Sequence, residues 1–374
     1  MRTFNVDISG STSEEFAPLV NPFARSVAYG GGSGASLAVY RSGHLVVDLV
    51  GGDYDVDSLQ LQYSVAKLIT AIVVAHAANR GLLDLDEPMS VYWKEFDRER
   101  TRGITARMVL GHTSGLAGIP TSLSVEELIA GRYLQEIERQ DPYWEPGTRP
   151  GYHSFSYGIL LDEIFRRRVG SNIGSYFDKE IRRPLDLDAS YGASPEQLKR
   201  VKLYRRELEG RTPLARALPT LRDFVDNGSS VFRGDFSVGN RPDILAQTWP
   251  GMSIVASSRA MAKMLAATLT EIDGLRVLEP TGVAALRQEQ SSGIDWVLQY
   301  QIRFGNGVQL PFPQLPFTGP NAFGHQGAGG CVSFVDPDLD IAVSYNTDAF
   351  PACEGGSMLA LALFSVIRNI CEAA

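Results

Sequence analysis

Hydrophobic positions along this chain change period twice, giving a β-rich start, a helical middle and a mixed end. Residues 35–41 and 44–50 form two β-rich runs separated by Ser42-Gly43, the spacing and turn chemistry of a hairpin. Upstream, residues 14–27 show a scattered helical period and run into Gly30-Gly31-Gly32-Ser33-Gly34. Neither G-x-G-x-x-G nor G-x-x-x-x-G-K-[ST] fits those glycines. They are expected to form a loop leading into an edge strand rather than a phosphate cradle. From Tyr63 the period becomes helical: Val65, Leu68, Ile69, Ile72 and Val73 share one face, and Gly81 is a natural stop.

Through about residue 205 the pattern predicts helical segments broken by Pro and Gly, with 124–138 and 156–169 the clearest. Residues 205–249 are irregular and rich in Arg, Pro, Gly and Asp, as loops or a lid would be. A helical period returns over 257–269. Strand candidates follow at 296–304, 329–335 and 341–346, and an apolar helix is expected over 357–370. Strands at both ends around a helical middle predict a sheet assembled from both termini with a helical insertion. The expected division is 1–60 with 250–374 as an α/β unit, and 61–249 as the mainly helical one.

Composition narrows the function classes. The chain has 374 residues, 44% hydrophobic and 21% charged, with a net charge of −8. That acidity argues against nucleic-acid binding, which usually presents a basic stripe. No apolar run approaches the roughly 20 residues that span a bilayer, and the N-terminus shows no hydrophobic signal region. Cys331, Cys353 and Cys371 are odd in number, far apart and outside any C-x-x-C. They are expected to be reduced packing residues of a cytoplasmic protein.

Candidate chemistry concentrates at Ser64-Val65-Ala66-Lys67, the one Ser-x-x-Lys in the chain. Residues three apart on a helix share a face, so the hydroxyl and the amine can meet. Lys67 is one of six lysines among 35 basic residues. An arginine holds its proton at any useful pH, whereas a desolvated lysine can release it. To act as a base near neutrality Lys67 must drop by about 2–3 pH units, through burial or a neighbouring cation. A serine in the first helical turn also sits at the positive end of the helix dipole.

Tyr63 extends this pair to Tyr63-Ser64-Val65-Ala66-Lys67, and two further blocks follow in order: Leu110-Gly111-His112-Thr113-Ser114-Gly115-Leu116, and Pro146-Gly147-Thr148-Arg149 with Tyr152. With these the sequence resembles the serine β-lactamase and penicillin-binding-protein superfamily, and within it the class C β-lactamase-related carboxylesterases called family VIII. The resemblance runs from the first hairpin to the C-terminal helix. It implies an antiparallel sheet flanked by helices, with an inserted mainly helical subdomain. It implies Ser64 as the acylated nucleophile, Lys67 as its activating partner and Tyr152 as a third member sharing their protons. Which of Lys67 and Tyr152 is the general base stays open, because such a group titrates as a set.

The resemblance also implies an oxyanion hole from the backbone N–H groups of Ser64 and Ala328, and substrate contacts from His325, Gly327, Ser154 and His153. Two departures matter. Ser154 replaces the Asn of the lactamase tyrosine motif, and Phe323-Gly324-His325-Gln326-Gly327-Ala328-Gly329-Gly330 stands where lactamases carry Lys-Thr-Gly. A histidine is largely neutral above about 6.5, so the exchange favours uncharged esters over carboxylate-bearing lactams. His153 either lines the acyl pocket or packs. His112 reads as an orienting residue, His44 as strand surface and His76 as helix face. G-x-S-x-G and H-E-x-x-H are both absent, so no α/β-hydrolase elbow and no metal or other cofactor is implied.

The expectation is a serine carboxylesterase acting on small-molecule esters. A β-lactamase or D-Ala-D-Ala peptidase, an acyltransferase, and a silent binding protein of the same fold are the alternatives. Residues 119–125 and 205–249 are expected to shape the acyl pocket. Tyr133, Trp144, Phe232, Phe236 and Trp249 either line it or belong to the core.

Overall fold

The computed structural model describes residues 6–29, 34–205, 236–349 and 358–373. Its strands are β1 (Ile8–Thr12), β2 (Ala35–Arg41), β3 (His44–Gly51), β4 (Gln60–Leu61), β5 (Ala189–Tyr191), β6 (Ile254–Ala256), β7 (Ser291–Ile294), β8 (Gln301–Phe304), β9 (Phe323–Gln326), β10 (Val332–Asp336) and β11 (Ile341–Thr347). The central sheet runs β1-β3-β2-β11-β10-β9, antiparallel throughout, so its strands come from both ends of the chain. β4, β6 and β5 form a smaller antiparallel sheet, and β7 pairs with β8. This is the β-lactamase/transpeptidase-like α/β architecture that the resemblance implies.

The hairpin forms as its turn chemistry dictates. Ser42 and Gly43 both take positive φ, 49° and 79°, which suits the right-handed twist of the flanking strands. β2 is not the edge strand expected. It lies between β3 and β11, and β1 and β9 hold the edges. Local pattern reveals the hairpin partner but not a strand arriving from 300 residues away. The glycine cluster at 30–33 lies outside the described residues, as do Cys353 and Phe232.

Successive side chains of β2 point to opposite faces, and both faces are covered. Leu37 and Val39 pack with Phe16, Phe23, Phe334 and Phe364, the last from the helix Met358–Ala373. Ala38 and Tyr40 join the larger core on the other face. That core holds the helix Val65–Asn79, of whose fifteen residues twelve are buried. A helix apolar all round belongs inside a protein rather than on its surface.

Three predicted boundaries move. The helix expected over 124–138 is two, Val125–Ile129 and Arg132–Arg139, because Gly131 between them is left-handed at φ 79°. The strand expected over 296–304 begins only at Gln301, since residues 295–299 turn back on themselves. The strand expected from 329 begins at Val332, because Gly327 N–H donates to the Cys331 carbonyl and closes a turn first. The helix over 156–169 matches its forecast, Ser156–Val169. No helix among the described residues is long and apolar enough to cross a membrane.

Candidate active site

The nucleophile candidate stands between two elements. β4 ends at Leu61, the helix begins at Val65, and Ser64 is the residue before its first turn, with its hydroxyl unused for capping. Tyr63 ahead of it is left-handed, φ 45°. For a residue with a Cβ that conformation costs about 1–2 kcal/mol, and strain of this kind gathers at functional sites. The turn leaves Ser64 Oγ 3.2 Å from Lys67 Nζ.

Lys67 is 1% exposed, and its amine also donates to the Gly251 carbonyl at 2.8 Å. Burial alone lowers its pKa from 10.5 to about 7. Of the two routes open from the sequence, desolvation is the one used; no second cation is needed. Gly251 reaches the amine because the helix Ser156–Val169 carries Gly158 against it, where any Cβ would lie 2.1 Å from the Gly251 nitrogen. Tyr157 donates its phenol to the Lys67 carbonyl at 3.2 Å.

Tyr152 presents its ring to the same amine, centroid 5.0 Å from Lys67 Nζ. Its backbone is fixed by a residue that sequence reasoning missed. Asp295 Oδ1 accepts N–H bonds from Tyr152 at 3.1 Å and from Val297 and Leu298 at 2.8 Å each. The other oxygen, Oδ2, is buried without a protein partner. Burial raises the Asp295 carboxyl, and the three N–H donors oppose that shift. A lone Asp in a turn carries no sequence signal for this task.

The histidines beside Tyr152 build its support. His112, left-handed at φ 59°, accepts the His153 N–H on Nδ1 at 3.0 Å, and its carbonyl accepts the Gly151 N–H. His153 donates from Nδ1 to the Gly151 carbonyl at 2.7 Å and accepts the Ser114 hydroxyl on Nε2 at 2.6 Å. Both of its ring nitrogens are thus committed, and the ring is fully buried. Burial first, then the nearby Lys67 charge, hold His153 down at about 4; the Gly151 bond works against them.

His325 lies on β9, 1% exposed, its ring 6.3 Å from that of Tyr152. Its Nδ1 is 2.7 Å from the Gln326 carbonyl, and since a carbonyl can only accept, that nitrogen carries the proton. Nε2 therefore presents a lone pair, buried and without a protein partner. Burial, with Lys67 second, lowers the ring to about 3. The neutrality expected above 6.5 extends far below it.

Gly327 brings the end of β9 against the nucleophile turn: a Cβ there would lie 2.3 Å from the Gln62 carbonyl oxygen. Ala328 follows, half-buried like Ser64 and Ser154. The backbone N–H groups of Ser64 and Ala328 are not taken by any backbone carbonyl among the described residues. His44 is exposed, His76 bonds the Tyr176 phenol at 3.0 Å, and Tyr133 and Trp249 pack against Phe155 in the core. Trp144 is also buried, and the Phe236 side chain lies outside the described set. Among the described residues no cluster of three or more His, Cys, Asp or Glu could hold a metal.

A sheet drawn from both termini, with a buried Ser-x-x-Lys helix beside β9, is the architecture of the serine β-lactamases and penicillin-binding proteins, and this chain is a serine hydrolase built on it. It belongs to the beta-lactamase family, whose model matches residues 23–364. Among curated proteins it is similar to the esterase/beta-lactamase LipL of Mycobacterium tuberculosis, 26% identical over 90% of this chain and 81% of that one. EstA of Arthrobacter nitroguajacolicus Rue61a superposes with a TM-score of 0.89 at 27% identity, covering 98% of this chain and 99% of the other. A family VIII carboxylesterase superposes with a TM-score of 0.87 at 25% identity over 97% and 100% of the two chains.

Proposed function

We propose that this serine hydrolase is a carboxylesterase that cleaves small uncharged esters through an acyl-enzyme on Ser64. The observation that carries the reading is the buried Lys67 amine, near-neutral at physiological pH and 3.2 Å from Ser64 Oγ. Neutral Lys67 accepts the hydroxyl proton as Oγ attacks the ester carbonyl, and the carbonyl electrons move to oxygen. The N–H groups of Ser64 and Ala328 receive that oxyanion, each such donor being worth about 3–4 kcal/mol in the transition state. The oxyanion collapses, the C–O bond to the alkoxy group breaks, and Lys67 and Tyr152 return the proton to the departing alcohol. Water then attacks the acyl-enzyme by the reverse proton path, releasing the acid and Ser64.

The preference for esters rests on His325. A lysine in that place would offer a cation to a substrate carboxylate. His325 is neutral with its Nδ1 proton held by the Gln326 carbonyl, so this place offers no cation to a carboxylate. Gly327 and Ser154 are assigned to substrate contact on the resemblance alone, and His153 supports the Tyr152 segment through His112. The described parts of the 61–249 stretch, 61–205 and 236–249, include Ser64, Lys67 and Tyr152, which supports a division between that stretch and 1–60 with 250–374. A cytoplasmic location is supported by the unbridged thiols of Cys331 and Cys371.

The test is labelling and turnover together. An alkyl fluorophosphonate should add once, on Ser64, and Ser64→Ala should take no label. p-Nitrophenyl acetate and butyrate should be hydrolysed far faster than a chromogenic cephalosporin. Lactam turnover exceeding ester turnover would replace this reading with the lactamase one.

A further inference from the structure

The two backbone N–H groups assigned to the oxyanion come from segments far apart in sequence, and one side chain touches both. Tyr204, 5% exposed, donates its phenol to the Leu61 carbonyl at 2.5 Å, three residues before Ser64. Its ring lies against the turn that follows Ala328: a Cβ on Gly329 would fall 2.1 Å from the Tyr204 ring carbon Cζ and oxygen. The same phenol oxygen is 3.4 Å from Cys331 Sγ, at the end of that turn. Beneath the ring, 5.2 Å away between centroids, is the left-handed Tyr63. Tyr204 is itself fixed by a reciprocal pair, its N–H to Asn240 Oδ1 and Asn240 Nδ2 to its carbonyl, both at 2.8 Å.

We propose that Tyr204 is a positioning residue for the oxyanion hole, clamping the segment that leads from β4 to Ser64 to the glycine turn that presents Ala328. The clamp rests on the acyl-enzyme reading above. A donor pair stabilises a transition state only if its spacing is set before the charge develops, because reorganisation during reaction would consume the gain. The backbone of the two segments already meets at Gly327 and Gln62. That contact sets their closest approach, but a van der Waals contact cannot keep them from parting. The Tyr204 phenol oxygen bonds the Leu61 carbonyl on one segment and meets Cys331 Sγ at 3.4 Å on the other, so polar contacts at one oxygen tie the two together while the ring fills the space beside Gly329. Gly329 is thereby explained: it has no side chain because the ring occupies the place of one.

The experiment compares ligands that use the hole with ligands that do not. A trifluoromethyl ketone adds Ser64 to its carbonyl and places an oxyanion in the hole; the corresponding secondary alcohol binds without adding. In Tyr204→Phe, which keeps the ring and loses the Leu61 bond, kcat/KM should fall by about 10-fold, and the ketone's inhibition constant should rise by the same factor. The alcohol's constant should stay within about 2-fold. Gly329→Ala should reduce kcat strongly in the wild-type background and much less beside Tyr204→Leu, since the smaller side chain leaves room for the methyl.

Fluorophosphonate titration normalises every rate to active sites. Two outcomes overturn the clamp while leaving the esterase reading intact: Tyr204→Phe with unchanged kcat/KM and ketone affinity per active site, or Gly329→Ala with an equal cost in both backgrounds. Wild-type protein that takes no label and hydrolyses no ester overturns that reading, and the clamp with it.

Discussion

Lys67 Nζ and the Gly251 carbonyl oxygen are 2.8 Å apart across 184 residues of sequence. The carbonyl takes one amine hydrogen in either charge state, so a neutral Lys67 keeps a lone pair that rotation about its terminal bond can turn toward Ser64 Oγ. Burial sets the charge state, lowering the pKa to about 7. Below that value the amine is an ammonium with no lone pair; above it the base is available. The kcat/KM for p-nitrophenyl butyrate should therefore rise with pH through about 7 and level off above it. His325 and His153, held at about 3 and about 4, are neutral throughout that rise and cannot cause it. Lys67→Arg should be inactive at every pH, since a guanidinium keeps its proton. A profile flat down to about pH 5 would remove Lys67 from the base role.

Tyr152→Phe separates proton transfer from packing. The ring rests against His112 and Phe304, with centroids 4.8 and 6.2 Å away, and phenylalanine preserves those contacts. Only the hydroxyl is lost, so kcat should fall by about 10²–10³-fold with a nearly unchanged melting temperature. Stopped-flow release of p-nitrophenol tells which half-reaction slows. A kcat within 2-fold of wild type, by the ordinary scatter of neutral variants of about 0.5 kcal/mol, would assign Tyr152 to the wall alone.

What was readable in the sequence was whatever local pattern encodes. The Ser42-Gly43 hairpin, the helix Ser156–Val169 and the Ser64–Lys67 pair all follow from spacing of a few residues. The apolar run after Tyr63 signalled a helix, though its even burial on every side is what lowers the Lys67 pKa. The placement of β2 inside the sheet was not readable, because β11 arrives from the far end of the chain. Asp295, Gly251 and Tyr204 were equally invisible. Each acts through a contact more than 100 residues away, on backbone or on Lys67, and leaves no local periodicity. The left-handed conformation of Tyr63 is also silent in sequence, since tyrosine is not a residue that favours it; histidine is enriched there, but too weakly to mark His112.

Asp295 offers a comparison in which magnitudes decide the order. Asp295→Ala leaves three N–H groups without their acceptor, Tyr152's among them, and each unmet buried group costs about 1–3 kcal/mol. Asp295→Asn keeps an acceptor at Oδ1. It weakens those bonds by removing the charge, yet also relieves the desolvation that raises the carboxyl. The two effects oppose, so Asn should lie within about 1 kcal/mol of wild type while Ala loses about 3 or more. Urea unfolding measures the stabilities, and kcat should follow the same order because Tyr152 shifts with its backbone. An Asn variant as unstable as Ala would mean that the charge, and not the acceptor geometry, holds the turn.

Gly158→Ala tests the junction that delivers Gly251 to Lys67. The added Cβ would lie 2.1 Å from the Gly251 nitrogen, 2.8 Å from its Cα and 2.9 Å from the Pro250 carbonyl carbon, all of them backbone. No rotamer change can relieve that overlap, so the 250–251 segment must move, at about 1–3 kcal/mol. Movement carries the Gly251 carbonyl away from the amine and admits water beside it, which weakens the desolvation that sets the pKa. The acid limb of kcat/KM should therefore shift upward from about 7, and the rate at neutral pH should fall. Gly103→Ala is the control, since a Cβ there meets nothing within 4 Å. A Gly158→Ala protein with the wild-type melting temperature and an unmoved limb would show that the tight approach of the two backbones is not what keeps Lys67 dry.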